Sequence, residues 1–512
     1  MKRIILTIFS LLFGLSLIAQ LSVEKIQELD NYYSKALKDW NVPGMAIAIV
    51  SSDQVYLSKG YGVTDIYTRN LVDENTLFAV ASNTKAFTAT ALAMLVDEGR
   101  LSWHDKVQQY LPWFQLYDPW VSSEITVTDL LTHRSGLKTF SGDLIWYGSD
   151  YDREEIIRKA RYLKPACGFR EQFGYSNIMY LTAGEIIPVI TGQSWDDFVR
   201  NRILRPLGMD RSVLHVKDLG SMDNIAQPHT YVNQQLKVIP WLDWDNIGPA
   251  GSLISSASDM GRWLQWNLKN GVVGNDTLLS ARRFNEIQHA HTINSVNQSS
   301  LQRFPSTHFK AYGLGWSLMD YLGRKIISHN GGYDGMISQT FFIPEENIGF
   351  VILTNSLSSV YYPLMYKTLD VLLGNPNPKD WSSEILPLIQ KGDSLTRIDE
   401  QKALANRNQQ SLPSLPLDAY EGTYSCDIYD QVEVLSENGQ LYFQMSKTAD
   451  FQGPMSHWQY NTFKVEFPAS PSLPSGFVTF QIDRNGKVTG MEIFIDNPDF
   501  DFTELDLMKV SR

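Results

Sequence analysis

Cysteine is scarce in this 512-residue chain: only Cys167 and Cys426 occur, far apart. Two thiols cannot staple a disulfide-dense scaffold. Both are expected to be free, and a single bridge between domains is the other arrangement left open. Dense basic runs are also missing, and the formal net charge is −12. An acidic chain without a basic patch is a poor nucleic-acid binder, so no nucleic-acid partner is expected. After the first twenty residues no stretch is long and apolar enough to span a bilayer. There is no His-Glu-x-x-His, no paired cysteines and no phosphate loop, and neither a metal nor a cofactor is expected. A Gly-x-Ser-x-Gly elbow is absent too, which argues against an α/β-hydrolase.

The first twenty residues do carry a pattern. Lys2 and Arg3 precede an almost unbroken apolar run from Ile4 to Ala19, which gives way to polar sequence at Gln20. This reads as a signal peptide over 1–20 and implies a periplasmic or secreted protein, since the run is somewhat short for a membrane span. A retained anchor is the competing reading, and no cysteine near the end of the run offers a lipid attachment point. Removing Lys2 and Arg3 takes the net charge from −12 to −14.

With 43% hydrophobic residues the chain can bury a large core in more than one domain. Val23 to Trp40 has apolar positions at helical spacing, and GMAIAIV and QVYLSKGYGV read as a strand pair. The middle, from about Leu101 to Leu279, is mostly helical, with helices expected over Asn177–Ile190, Trp195–Leu204 and Ser258–Leu268. Strands return at YGLGWSLM, RKIISHN, MISQTFFI and NIGFVILTNS, followed by a helix from Tyr362 to Leu373. Strands at both ends of a helical middle predict an α+β fold: one antiparallel sheet flanked by helices, with a helical insertion beside it and a cleft between. A polar stretch over 376–412 reads as a linker between a 21–375 domain and a 413–512 domain. The short alternating strands of the latter predict a small all-β barrel.

The stretch FAVASNTKAFTATALAMLVDEGRL, Phe78 to Leu101, places Ser82 three residues before Lys85 at the mouth of an apolar helix. Residues three apart share a helix face, so hydroxyl and amine come within hydrogen-bond reach. Apolar surroundings and the positive helix N-terminus both push a lysine toward its neutral form, in which it can activate the serine as a nucleophile. As a bare pattern, Ser-x-x-Lys is common.

Its company narrows the reading. TDLLTHRSGLKTF, FGYSNIMYLTAGEII, PAGSLISSASDMGRW and ISHNGGYDGM follow, and with SNTK they resemble, in order and spacing, the motifs of the serine β-lactamase and penicillin-binding-protein superfamily. The match is to its class C-type branch of β-lactamases, D-amino-acid peptidases and esterases, over roughly Val23 to Leu373. The resemblance implies Ser82 as the acylated nucleophile and Lys85 as its proton acceptor. It implies Tyr175 as a general acid/base, partly phenolate beside the ammonium, and Asn177 as the group orienting the substrate's acyl amide. It places His329 and Gly331 on the strand lining the cleft, and the backbone N–H groups of Gly332 and Ser82 in an oxyanion hole. Each such donor lowers the barrier by about 3 kcal/mol. Where His329 stands, β-lactam-active members usually carry lysine. This departure points toward a peptidase or esterase, with His329 expected to titrate between pH 5 and 8 and to weaken carboxylate binding as pH rises.

The expected activity is therefore exported serine hydrolysis through an acyl-enzyme, on a small-molecule or peptide substrate. The alternatives are a β-lactamase, or a penicillin-binding sensor or scaffold that acylates without turnover. The C-terminal region resembles, more weakly, the lipocalin-like domain of some of these peptidases; its expected jobs are one wall of the cleft, self-association into a homo-oligomer, or passive stabilisation. His133 is expected as a buried, hydrogen-bonded histidine. His289 and His291, two apart on an expected helix, diverge too far to share a metal. Trp103, Trp113, Trp120 and Trp146 are expected in core or cleft wall, and Asp496–Asp501 as a solvated loop.

Overall fold

The computed structural model describes residues 21–497 and 499–511, so the expected signal segment lies outside the described residues. In chain order, α1 (Val23–Asp39) leads into the hairpin β1 (Gly44–Val50) and β2 (Val55–Gly62), then α2 (Thr84–Asp97). The helical middle holds α3 (Asn177–Thr191) and α4 (Ala257–Leu268). Strands β3 (Thr292–Asn294), β4 (Lys310–Tyr312), β5 (Ser317–Tyr321), β6 (Arg324–Tyr333), β7 (Met336–Ile343) and β8 (Ile348–Thr354) precede α5 (Tyr361–Leu373).

These strands form one eight-stranded antiparallel sheet in the order β2-β1-β8-β7-β6-β5-β4-β3. The N-terminal hairpin is zipped to the far end of the domain, from Met45 opposite Thr354 to Val50 opposite Gly349. Every residue of β1 is buried. Met45, Ile47 and Ile49 pack on one side with Leu29 and Tyr33 of α1 and Leu364 and Leu369 of α5. Ala46, Ala48 and Val50 belong to the core on the other side, with α2 and α4, where Trp263 stacks on Phe87 at 3.9 Å. The period of two thus supplies both faces of a covered sheet.

The fold matches the expected α+β architecture, with local differences. The helix expected over Trp195–Leu204 is α-helical to Val199 and continues as a π-helical turn over Arg200–Leu204. His289 and His291 follow a helix that ends at Ile287, so they are not on a helix; His291 Nε2 lies 3.2 Å from the Glu286 carbonyl. The stretch read as a linker contains a 26-residue helix, α6 (Trp381–Asn406). Only Trp381, Ser382 and Ile385 of it are buried, and Pro387 and Gly392 interrupt the sequence pattern that would announce a helix. Trp381 Nε1 donates to Asp370 Oδ2 at 2.8 Å and anchors its first turn.

Beyond α6, strands β9 (Gly422–Ser425), β10 (Gln431–Glu437), β11 (Gln440–Met445), β12 (Gln452–Gln459), β13 (Thr462–Val465), β14 (Gly476–Ile482), β15 (Val488–Phe494) and β16 (Leu507–Ser511) close into a barrel. Its interior is filled by rings such as Tyr420, Phe463 and Phe480, and the closed eight-stranded form fits a lipocalin-like domain. Cys167 and Cys426 are both free. Among the described residues no helix is long and apolar enough to cross a membrane, and no group of three or more His, Cys, Asp or Glu is placed to hold a metal ion.

Candidate active site

Ser82 sits in a tight turn between a two-residue strand, Phe78–Ala79, and α2. The strand pairs with Ile254–Ser255, and Val80 N donates to Leu253 O at 2.9 Å, which fixes the approach. The turn reverses at Ala81, whose φ of 46° is left-handed, a conformation costing a non-glycine residue about 1–2 kcal/mol. Surrounding bonds hold it there: Thr84 Oγ1 donates to Ala81 O at 2.6 Å, and Ser338 Oγ to Val80 O at 2.7 Å. Strand β6 passes so close that a methyl group on Gly331 would lie 2.8 Å from the Ser82 nitrogen and 2.3 Å from Val80 O. The stretch ISHNGGYDGM carries glycine at this position because no side chain fits there.

Helix α2 is buried on all sides from Thr84 to Val96, and Lys85 is fully buried with it. Its Nζ lies 3.1 Å from Ser82 Oγ, 2.7 Å from Asn177 Oδ1 and 2.8 Å from the Ala250 carbonyl. Burial brings its pKa down to about 7, partly opposed by the charge of Asp143. A neutral amine has two hydrogens and one lone pair. The two carbonyl oxygens take the hydrogens, and the lone pair is left for the Ser82 hydroxyl.

Tyr175 closes the far side. Its backbone is tied to the Leu137–Phe140 loop, Phe140 N donating to Tyr175 O at 2.8 Å, and Gly174 is wedged so tightly that a Cβ would fall 1.8 Å from Leu137 O. The ring centre lies 4.7 Å from Lys85 Nζ, and the phenol lies close enough to feel the Ser82 hydroxyl. Burial pushes this phenol well above its ordinary value, so the expected partial phenolate does not form: a neutral phenol faces an amine that burial has brought down to about 7. His133 is fully buried under Tyr175, ring centres 4.2 Å apart, and its Nδ1 accepts from Ser176 N at 3.0 Å. It packs the site from behind.

His329 is displaced from its expected role. It is 3% exposed, turned away from the cavity, with Nε2 2.9 Å from the Tyr312 hydroxyl and Nδ1 2.6 Å from Asn330 O. Burial and the neighbouring Lys85 lower its pKa to about 3, so it does not titrate between pH 5 and 8 and offers no carboxylate anchor. Its neighbours Asn330 and Gly332 line the cavity instead. Asn177 also does more than face substrate, because its amide bridges Lys85 and Asp143.

The cavity above Ser82 encloses about 740 Å³. Phe140, Trp146, Tyr147, Tyr175, Trp244 and Tyr333 form apolar walls, as expected for Trp146. Two barrel loops supply the roof: Ser472–Pro474, and Asp496, Asn497, Asp499 and Phe500. The aspartates read as a solvated loop therefore face the site, Asp496 and Asp499 in the cavity lining and Asp501 paired with Lys138 at 2.6 Å. Glu504 clamps the roof further, accepting from Ser141 Oγ at 2.5 Å and from Gly142 N at 2.8 Å, and Phe500 packs on Tyr147 at 4.3 Å. Tyr147 also hydrogen-bonds Asp334, a carboxylate that burial raises to about 6.

One pH profile follows. A base works deprotonated, so acylation is expected to fall below pH 7 as Lys85 takes up a proton. Burial raises Asp143 to about 7 as well, so its charge is lost in the same window and the acid limb should have a slope between one and two. Tyr175 stays a phenol, so no alkaline limb is expected up to about pH 9. Measuring kcat/KM for p-nitrophenyl butyrate from pH 5 to 9 checks this; a bell with a descending limb near pH 8 would contradict it.

Residues 29–370 match the Beta-lactamase family, and residues 406–509 match a domain of unknown function, DUF3471. Unguisins hydrolase ungD of Aspergillus violaceofuscus is 30% identical over 443 residues, covering 80% of this chain and 76% of that protein. Protein flp of Staphylococcus aureus (strain COL) is 28% identical over 368 residues, 70% of this chain and 68% of its own. The structure of the octameric penicillin-binding protein homologue from Pyrococcus abyssi superposes with a TM-score of 0.61 at 22% identity, covering 94% of this chain and all of that one. With two thirds of its length inside the family match and a 30%-identical hydrolase among its relatives, this chain belongs to the Beta-lactamase family.

Proposed function

We propose that the protein is an exported, periplasmic or secreted serine hydrolase that works through an acyl-enzyme on amide or ester bonds of small D-amino-acid-containing peptides or short esters. The observation that carries this reading is the neutral-leaning Lys85 amine, tied by two carbonyls and 3.1 Å from Ser82 Oγ. Ser82 Oγ attacks the carbonyl carbon, its proton passes to Lys85 Nζ, and the carbonyl electron pair collects on an oxyanion held by the N–H groups of Ser82 and Gly332. The Tyr175 phenol hands a proton to the leaving amine or alcohol and is recharged from Lys85. Water then releases the acyl group by the reverse route.

The charge of the cavity narrows the substrate. Among the described lining residues, Asp143, Asp334, Asp496 and Asp499 are acidic and none is lysine, arginine or histidine. Carboxylate-bearing substrates, β-lactams included, meet repulsion there, whereas a free amine or a neutral ester does not. D-Alanine p-nitroanilide should exceed its N-succinyl derivative in kcat/KM by about tenfold or more, with the N-acetyl form between them. The same assay with nitrocefin should give slow turnover. A preference for the succinyl substrate, or rapid nitrocefin hydrolysis, would reject this reading in favour of a carboxylate-selective enzyme. Self-association belongs to the same proposal, prompted by the octameric archaeal homologue and tested by light scattering.

A further inference from the structure

We propose that Asp143 is a positioning residue for Lys85: its carboxylate fixes which way round the Asn177 amide stands, and so keeps the lysine lone pair free for the Ser82 hydroxyl. The inference rests on the reading of Ser82 as nucleophile.

Asp143 opens a four-residue helical turn, Asp143–Trp146, and is 3% exposed. Its Oδ1 accepts from Trp146 Nε1 at 2.8 Å, and its Oδ2 from Asn177 Nδ2 at 2.6 Å. An ionised carboxylate has no hydrogen to give, so only the NH₂ end of the amide can face it. The carbonyl end is thereby committed to Lys85 Nζ, 2.7 Å away. The order Asp143–Asn177–Lys85 is a chain of single polarity.

Turning the amide round shows what the carboxylate prevents. A flipped Asn177 would set its NH₂ against Nζ, donate into the lone pair of the neutral amine and compete with the Ser82 hydroxyl for it. An asparagine at 143 would drive this flip, because Trp146 Nε1 holds its carbonyl end and turns its NH₂ toward Asn177, which must then accept with Oδ1. In the reaction itself Asp143 takes no proton. The Ser82 O–H bond breaks, the proton bonds to Nζ, the serine oxygen bonds to the acyl carbon and the carbonyl π pair moves to oxygen. The new ammonium hydrogen is directed at Ser82, and the other two remain on Asn177 Oδ1 and Ala250 O.

The test uses the full chain, a fluorophosphonate as probe of Ser82, and pH 9, where Lys85 is neutral. Asp143→Asn should label at least tenfold more slowly than wild type and lose kcat for p-nitrophenyl butyrate with KM little changed. The double variant Asp143→Asn with Asn177→Asp restores an acceptor-only group beside Lys85, fed by the new amide at 143. It should recover much of the lost rate, with its acid limb moved to higher pH because a carboxylate now touches the amine. A merely structural role predicts that the double variant is worse than the single.

Should D143N not fold, Trp146→Phe removes the donor to Oδ1 together with part of a cavity-wall ring; slower labelling with unchanged KM then carries the same message, because a change of the wall alone would show in KM. Wild-type labelling by D143N, or by W146F in its place, overturns the inference, as does a loss confined to KM, which would make Asp143 a substrate-binding group. Labelling of a Ser82→Ala variant would instead bring down the reading of the nucleophile on which this rests.

Discussion

Ser82→Ala is expected to lower hydrolysis of every substrate class by about 10⁴-fold or more, and to abolish the mass adduct formed with a fluorophosphonate. The size follows from what remains. Without Oγ the tied lysine has no proton to accept, and only the polarising amides and the enclosed cavity are left to assist water. Removing one hydroxyl leaves the left-handed Ala81 turn and its bonds to Thr84 and Ser338 intact, so stability should change by less than about 1 kcal/mol. Intact-mass analysis and a thermal melt on the same sample separate the two effects. Hydrolysis surviving at more than one part in a hundred, in a protein that melts normally, would move the chemistry to another residue.

The pairing of Ser82 with Lys85 is legible in the sequence because its signals are local. Ser82 and Lys85 lie one turn apart on one helix, and the apolar run after them is long enough to bury the amine whatever the rest of the fold does. The strands over 312–356 were equally legible, since a buried sheet demands unbroken apolar runs between turn residues.

What escaped depends on partners far along the chain. Asp143 reads as a loop acid in TFSGDLIW, and only the fold brings Asn177 to its carboxylate. The aspartates at 496 and 499 look solvated until the barrel is seated over the cavity and Glu504 clamps it to Ser141 and Gly142. His329 does not take the place that the resemblance implies: its ring goes to Tyr312, and the alternation of the strand turns its neighbour Asn330 to the cavity. The helix α6 was invisible for a simpler reason. Leu388, Ile389, Leu395 and Ile398 lie at helical spacing but stay exposed, and Pro387 and Gly392 among them look like breakers.

Gly331→Ala is the smallest substitution with the largest expected consequence after loss of the nucleophile. The added methyl would meet Val80 O at 2.3 Å, Ser338 Oγ at 2.7 Å and Ser82 N at 2.8 Å. None of these can yield separately: Val80 O and Ser338 Oγ are bonded to each other, Ser338 is the cross-strand partner of Gly331 itself, and Asn83 Nδ2 holds Ser338 Oγ at 2.8 Å. Relief must come from the strand and the nucleophile turn moving apart. A shift of about 1 Å there takes Ser82 out of line with Lys85 and with the Gly332 amide, for which a loss of about 10²-fold in kcat is the ordinary scale. Overpacking of this kind costs about 1–3 kcal/mol of stability, a modest drop in Tm for a chain of this size. The diagnostic result is a folded protein with slow fluorophosphonate labelling and little change in KM. Wild-type labelling would mean that the strand does not press on the turn as the structure has it. Space decides the outcome here, since the backbone of Gly331 is not left-handed, and a Cβ on the adjacent Gly332 would find only Ile337 Cδ1 at 3.7 Å.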